Sequence, residues 1–151
     1  MHMDTRPIML VEDNADDVEL TLRALRKNNI PNEVVVARDG VEALEHLFGK
    51  GTGTSNGKRI RPSVVLLDLK LPNVNGFEVL RRMRSDESTK LIPVVILTSS
   101  REELDLLEGY RLGANSYVRK PVDFEQFLTT VQQLGMYWLG LNEPVPQKGV
   151  Y

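Results

Sequence analysis

The chain has 151 residues, 41% of them hydrophobic and 26% charged, and its 19 basic and 21 acidic side chains leave a net charge of −2. This length and composition are typical of one globular domain with a proper core. The balanced charge gives no reason to expect nucleic-acid binding, and the absence of cysteine excludes disulfides, thiol catalysis and cysteine-ligated metals. No apolar run is long enough to span a membrane and residues 1–7 lack a signal peptide's apolar segment, so we expect a cytoplasmic protein without membrane contacts.

Apolar strands and amphipathic helices alternate along the whole chain. Such alternation predicts an α/β fold in which helices cover both faces of a doubly wound, five-stranded parallel sheet in a single domain. His46 falls in one of the helical patterns and reads as a surface or boundary residue. The predicted strands are residues 8–11, 33–37, 64–67, 93–97 and 115–119, and the predicted helices are residues 14–27, 41–48, 76–84, 102–112 and 123–134.

Asp68 is the first candidate for a functional residue. It follows a fully apolar stretch, residues 64–67, which is typical of a strand buried on both faces. The chain then turns at Pro72 and Gly76. An acid at the carboxyl end of a buried parallel strand lies where open α/β sheets bind their ligands. For Asp68 taken alone, a helix cap or a solvated loop acid is the structural alternative.

Polar residues also follow the other predicted strands, and a parallel sheet brings these positions to one edge. Glu12 and Asp13 follow strand one and Asp68 follows strand three; three carboxylates so close repel one another unless a cation neutralises them. Carboxylates with a carbonyl and water suit Mg²⁺. Thr98 and Lys120 would complete a phosphoryl site, by donating a hydrogen bond and by offsetting oxygen charge. Singly these residues read as capping acids, a strand-end hydroxyl and a surface lysine, but together they predict phosphoryl chemistry.

The motifs that carry these residues resemble the response-regulator receiver domains of two-component signalling. The resemblance covers about residues 6–134 and implies a flavodoxin-like receiver domain at 1–134, followed by a C-terminal extension at 135–151. It implies that a histidine kinase transfers a phosphoryl group onto Asp68. The matching motifs are Leu-Val-Glu-Asp-Asn (10–14), Leu-Leu-Asp-Leu-Lys-Leu-Pro (66–72) with Gly76, Ile-Leu-Thr-Ser-Ser (96–100) and Tyr-Val-Arg-Lys-Pro (117–121).

The same resemblance implies how a metal ion is held. Mg²⁺ would be bound by Asp13, Asp68 and the backbone carbonyl of Lys70, with Glu12 acting through water.

The resemblance also implies how the phosphoryl group is sensed. Thr98 matches the switch hydroxyl, Lys120 the lysine that contacts the phosphate, and Tyr117 the switch aromatic. From its own pattern alone, Tyr117 would be an exposed residue of an edge strand. Lys70 and Ser100 occupy positions that vary in the family and influence dephosphorylation, so the lifetime of the phosphorylated form cannot be carried over.

Two further features resemble the single-domain regulators that are paired with cyanobacterial phytochrome histidine kinases. One is the long Gly-rich loop at 49–62, whose basic cluster is a recognition surface or, more simply, a solvated loop end. The other is the tail at 134–146. About 17 residues follow position 134, too few for a DNA-binding or enzymatic output domain. The basic cluster consists of Lys58, Arg59 and Arg61.

Two other classes of protein compete with a phosphorylated regulator. A Mg²⁺-dependent phosphatase with Asp68 as nucleophile commonly keeps a second acid two residues later, where this chain has Lys70. A degenerate receiver that only binds other proteins would not need the acids, the hydroxyl and the lysine that this chain retains. We therefore expect a phosphoacceptor that acts through phosphorylation-dependent contacts with a downstream protein, and not a turnover enzyme.

The tail is rich in large apolar residues. A receiver is complete by Leu134, so we expect these side chains to lack an intramolecular pocket and to form a homodimer interface. The alternative is that they fold back onto their own domain. The residues concerned are Met136, Tyr137, Trp138, Leu139 and Leu141.

Overall fold

The computed structural model of the protein describes residues 4–49 and 59–146. His2, Lys58 and most of the Gly-rich loop therefore lie outside the described residues. Five strands form one parallel sheet, as the alternating pattern predicts. The order of the strands in the sheet is β2-β1-β3-β4-β5. The strands are β1 (Ile8–Val11), β2 (Val34–Ala37), β3 (Val64–Leu67), β4 (Val94–Thr98) and β5 (Ser116–Arg119), and the helices are α1 (Ala15–Lys27), α2 (Gly40–Phe48), α3 (Gly76–Ser85), α4 (Glu103–Arg111) and α5 (Phe124–Met136).

Helices cover both faces of the sheet and make two hydrophobic cores. In β1, Met9 and Val11 join the core under α2 and α3, while Ile8 and Leu10 join the core under α1 and α5. Because successive side chains of a strand point to opposite faces, a strand in the middle of such a sheet must be apolar throughout. This explains why β1, β3 and β4 are fully buried.

Four of the five α-helices begin at a side chain that caps the backbone. In each, the cap residue accepts a hydrogen bond from the N–H three residues later, which satisfies one of the free donors of the first turn. The exception is α4, which Glu102 precedes without a side-chain cap bond. The four capping residues are Asn14, Asp39, Asn75 and Asp123.

The C-terminal residues differ from the prediction. Helix α5 continues beyond residue 134 to Met136, and a short π-helical segment (Tyr137–Leu141) follows it. Leu139 is only 1% exposed in the core under α1 and α5, and its carbonyl accepts a hydrogen bond from the N–H of Asp4. The expectation that the tail lacks an intramolecular pocket is therefore wrong for Leu139. The division of the chain at residue 134 stays a prediction.

Three smaller predictions are also corrected. His46 is buried at 6% exposure, because it lies one turn from Ala43 and next to Leu47 on the inner side of α2. The apolar stripes of the predicted helices 41–48 and 123–134 include Val41 and Phe124, which predicts that both face inward; both are exposed, and each lies in the first turn of its helix. Within the described parts of the chain, no helix combines the length and hydropathy needed to cross a bilayer.

Candidate metal and phosphoryl-transfer site

The register of the parallel strands brings the predicted site residues to one edge of the sheet. Val11 of β1 pairs with Leu67 of β3, so the residues that follow them, Glu12 and Asp68, are neighbours. On the other side, the N–H of Lys120 donates to the carbonyl of Thr98 at 2.8 Å. Four of the five strand ends therefore meet at this edge, as the sequence predicts.

Three carboxylates form one cluster at this edge. Glu12, Asp13 and Asp68 can each place an oxygen within 4.8 Å of the other two. Glu12 and Asp68 are buried, whereas Asp13 is exposed and leaves the cluster open to solvent. Carboxylate oxygens at this spacing, partly buried and mutually repulsive, are the donor set of a hard divalent cation. The residues present thus fit Mg²⁺, which would be held by these acids.

Lys120 neutralises part of the charge of the cluster. Its ammonium donates to Glu12 Oε1 at 2.6 Å, to Asp17 Oδ2 at 2.8 Å and to Asp68 Oδ2 at 3.3 Å. Burial lowers the pKa of Lys120, but the hydrogen bonds to Asp17 and Glu12 outweigh burial and raise that pKa above its ordinary value. The lysine is therefore a permanent cation beside the acids.

Glu12 is the acid whose ionisation the fold perturbs most. Burial raises its pKa to about 7, against the lowering effect of the hydrogen bond from Lys120. The charged form of a buried carboxylate is disfavoured because water no longer solvates it. A cation bound at the cluster would favour the ionised form.

One oxygen of Asp68 is already engaged by the backbone. Its Oδ1 accepts a hydrogen bond from the N–H of Leu69 at 2.7 Å, and its Oδ2 faces Lys120. Lys70 lies two residues further on, with its side chain exposed. That the backbone carbonyl of Lys70 binds the metal stays a prediction.

Thr98 lies at the β4 side of the site and is fully buried. Its Oγ1 accepts a hydrogen bond from the N–H of Ser100 at 3.3 Å. The hydroxyl of Ser100 in turn donates to Asp105 Oδ2 at 2.6 Å and accepts from the N–H of Glu102 at 3.2 Å. The end of β4 is thus joined to the first turn of α4 through one serine.

Tyr117 is turned inward, in contrast to the exposed residue that its own pattern suggests. It packs against the core under α2 and α3, and its ring lies beside Gly109, where an added Cβ would come within 3.2 Å of Tyr117 Cδ2. Its hydroxyl oxygen is buried with no hydrogen-bond partner among the described residues. Burial accordingly raises the pKa of the phenol.

Asp17 is the site residue that sequence reasoning missed. The pattern identified it only as an acid in the first turn of α1, where the helix dipole favours negative charge. The signal was present, however, because α1 begins two residues after Asp13 and its first turn must lie at the edge of the site. Four of the residues expected from the sequence come together in the structure: Glu12, Asp13, Asp68 and Lys120. Thr98 lies next to them, because its carbonyl accepts a hydrogen bond from the N–H of Lys120.

Three regulators with related sequences share this architecture. Response regulator Rcp1 of Synechocystis sp. is 36% identical over 132 residues, which are 87% of this chain and 88% of the relative. The crystal structure of the Mn²⁺-bound form of response regulator Rcp1 superposes with a TM-score of 0.87 and 33% identity, covering 93% of this chain and 99% of the other.

The other two regulators are named for phytochromes. The crystal structure of the phosphorylated cyanobacterial phytochrome response regulator RcpA superposes with a TM-score of 0.88 at 37% identity. The match covers 95% of this chain and 100% of the RcpA chain. The bacteriophytochrome response regulator AtBRR is 54% identical with a TM-score of 0.70, over 93% and 99% of the two chains. The family model described as the response regulator receiver domain matches residues 8–132. With the acid cluster and its lysine at the sheet edge, this match shows that the chain belongs to the response-regulator receiver family.

Proposed function

We propose that this protein is a single-domain response regulator that accepts a phosphoryl group from a histidine kinase onto Asp68 with the help of Mg²⁺. The observation that carries the proposal is the position of Asp68. Its carboxylate is buried at a strand end, has the Lys120 ammonium 3.3 Å from Oδ2, and belongs to an acid cluster suited to a divalent cation. Asp13, Asp68 and the Lys70 carbonyl would bind the metal, with Glu12 acting through water.

The chemistry is an in-line displacement at phosphorus. A carboxylate oxygen of Asp68 attacks the phosphorus of the phosphohistidine, a P–O bond forms, and the P–N bond breaks. The imidazole leaves with the bonding electrons and takes up a proton. When bound, Mg²⁺ supplies positive charge to the phosphoryl oxygens. Lys120 would stabilise those oxygens by charge, and Thr98 by a hydrogen bond.

The oxygen of Asp68 that reacts is expected to be Oδ2. Oδ1 accepts the N–H of Leu69, which fixes the orientation of the carboxylate, while Oδ2 points toward Lys120. Both oxygens of Glu12 are already engaged: Oε1 accepts from Lys120 Nζ at 2.6 Å and Oε2 accepts from the N–H of Asn14 at 3.1 Å. The contact from Lys120 to Asp68 Oδ2 is longer, at 3.3 Å, which supports Asp68 as the phosphoacceptor within the cluster.

The alternative of a phosphatase is less well supported. Phosphatases with an aspartyl intermediate commonly keep a second acid two residues after the nucleophile for acid–base work, and position 70 carries an exposed lysine instead. We therefore propose a signalling protein that assists its own phosphorylation and dephosphorylation. Tyr117 and Thr98 would transmit the phosphorylated state to a downstream protein.

A phytochrome is the proposed kinase partner, in the cytoplasm. The support is the similarity to RcpA and to AtBRR, which are phytochrome and bacteriophytochrome response regulators. Phosphotransfer from a phosphorylated phytochrome kinase should be faster than transfer from an unrelated histidine kinase under the same conditions. Equal rates from both kinases would contradict the pairing.

The central test is the substitution Asp68→Asn. We expect the variant to keep its fold, since asparagine has the same shape and relieves repulsion in the cluster, and to lose phosphorylation by the kinase with Mg²⁺ present. Phosphotransfer with labelled kinase measures the loss, and thermal unfolding checks the fold. Labelling of a folded Asp68→Asn variant at the wild-type rate would overturn the assignment.

We also propose that the protein forms a homodimer through its C-terminal side. Beside the buried Leu139, the side chains of Met136, Tyr137 and Leu141 are exposed, and Tyr137 stacks edge-on against Trp138. Exposed apolar clusters of this kind mark association sites. Deleting the tail would remove a core residue, so substitution is the better test.

The triple variant Met136→Ser, Tyr137→Ser, Leu141→Ser should sediment as a monomer while the wild type sediments as a dimer. Val41→Ser, which changes another exposed apolar side chain on α2, serves as the control and should stay dimeric. Identical masses for the triple variant and the wild type would exclude this surface.

A further inference from the structure

The ammonium of Lys120 has one partner that does not belong to the metal-binding acids. Asp17 Oδ2 lies 2.8 Å from Lys120 Nζ, although the two residues are 103 positions apart and Asp17 is on α1. From this contact we infer that Asp17 is a positioning residue, which holds Lys120 at the rim of the site when Mg²⁺ occupies the acid cluster. The inference rests on the proposed function, because it assigns a role at the same metal site.

The other two partners of Lys120 are carboxylates of the acid cluster. Lys120 donates to Glu12 and to Asp68, and both acids belong to the cluster of three. A divalent cation and an ammonium that share these oxygens also repel each other at short range. Metal binding would therefore weaken the hydrogen bonds that Lys120 donates to Glu12 and Asp68. Asp17 offers the ammonium an acceptor outside the cluster, which would reduce the free-energy cost of losing those two hydrogen bonds.

Asp17 is held in place without the help of Lys120. Its N–H donates to Asn14 Oδ1 at 3.0 Å, and its carbonyl accepts from Thr21 Oγ1 at 2.7 Å. Thr21 is buried on the inner side of α1. The backbone of Asp17 is thus fixed by its helical turn independently of Lys120. A fixed backbone reduces the ordering cost of presenting the carboxylate to the lysine when a metal binds.

A purely structural role predicts a different outcome. An acid in the first turn stabilises a helix through the dipole, and Asp16 and Asp17 share that position in α1. Asp16 is exposed, and the ion pairs of Lys120 within the described residues reach Glu12, Asp17 and Asp68 but not Asp16, so Asp16→Asn removes the same charge from the same turn without touching the lysine. Asp16→Asn is therefore the matched control for Asp17→Asn.

The test is calorimetric titration of Mg²⁺ into the full chain at near-physiological ionic strength. Asp17→Asn should weaken Mg²⁺ binding by about threefold to tenfold, the range expected when a charge-assisted hydrogen bond is lost in part. Asp16→Asn should change the affinity by less than about twofold, because exposed charges are screened over about 8 Å. An equal effect of the two substitutions would overturn the inference.

A double-mutant cycle with Lys120→Met gives a second, independent test. Without the ammonium there is nothing for Asp17 to hold, so Asp17→Asn in this background should match Asp16→Asn in the same background. A threefold to tenfold loss that persists without Lys120 would assign the effect to charge alone and overturn the inference. Thermal unfolding confirms that each variant folds; Lys120→Gln replaces Lys120→Met if the latter does not.

Asp13→Ala separates failure of this inference from failure of the proposed site. If Asp13→Ala binds Mg²⁺ as the wild type does, the metal site itself is wrong. If Asp13→Ala loses binding while Asp17→Asn behaves as Asp16→Asn, the site stands and the role of Asp17 falls.

Discussion

Helices α4 and α5 follow the two strands that carry Thr98 and Lys120, yet the fold holds them very differently. Helix α5 has 13 residues and a side-chain cap from Asp123, and it buries four residues against the sheet and α1. Helix α4 has 9 residues, no side-chain cap bond at Glu102, and Gly109 as its one buried residue. One side of the phosphoryl site is thus firmly anchored and the other lightly attached.

The two attachments of α4 both lead back to the site. Ser100 joins the buried Thr98 to Asp105 of the first turn, and the ring of Tyr117 lies against Gly109. Elements with few buried contacts open at low free energy and are the ones that respond to ligands. A change at Asp68 that moves Thr98 would therefore reach α4 before it reaches α5.

The largest expected effect comes from removing a core side chain of α5. Phe127→Ala should lower the free energy of unfolding by about 3 to 5 kcal/mol, since Phe127 is buried and its loss leaves a cavity. Leu104→Ala on α4 should change it by less than about 0.5 kcal/mol, because Leu104 is 75% exposed. Urea unfolding of both variants measures the contrast, and similar losses would show that α4 is as firmly packed as α5.

The second prediction concerns how the stability of the fold depends on pH through Glu12, the acid that accepts a hydrogen bond from Lys120. Glu12 has a pKa of about 7 in the metal-free folded protein against an ordinary value of 4.5, so the folded state binds the extra proton between these values. The free energy of unfolding should therefore fall as pH rises from about 4.5 to about 7, by on the order of 3 kcal/mol.

The substitution Glu12→Gln should flatten this dependence, whereas Glu125→Gln, at an exposed position of α5, should leave it unchanged. Chemical unfolding at a series of pH values without Mg²⁺ gives both curves. A pH dependence that survives Glu12→Gln would place the titrating group elsewhere.

The smallest effect is expected for the serine that joins β4 to α4. Ser100→Ala removes the bonds from Ser100 Oγ to Asp105 and from Glu102 to Ser100, and should cost about 1 kcal/mol. Local opening of α4 should increase, with faster exchange of its amides and no change in α5. Ser85→Ala, which removes an exposed hydroxyl at the end of α3, is the control. Unchanged exchange in α4 would show that Ser100 does not anchor it.

How far the sequence predicts this molecule depends on the range of each interaction. Strand residues such as Val11 and Leu67 are buried on both faces, so their position is visible in the local pattern. The acids that follow them meet because a parallel sheet brings all strand ends to one edge. The resemblance to receiver domains then follows from a few short motifs.

Contacts between distant segments were not accessible in this way. The ion pair between Asp17 and Lys120 depends on how α1 and β5 are placed across the sheet, and no local pattern encodes it. His46 was misplaced because a histidine among apolar residues is compatible with either side of a helix. Leu139 was misplaced because the groove that receives it exists only once α1 and α5 have packed.

The burial of Leu139 has a consequence for where this receiver begins and ends as a folding unit. The family match stops at residue 132, yet Leu139 lies in the same core as Val18 and Val131, and Gly135 packs beside Leu25. A protein cut at the family boundary would expose that apolar surface and lose cooperativity. A folded version of this receiver should therefore retain the chain through at least Leu141, since Leu139 belongs to the same hydrophobic core as the sheet.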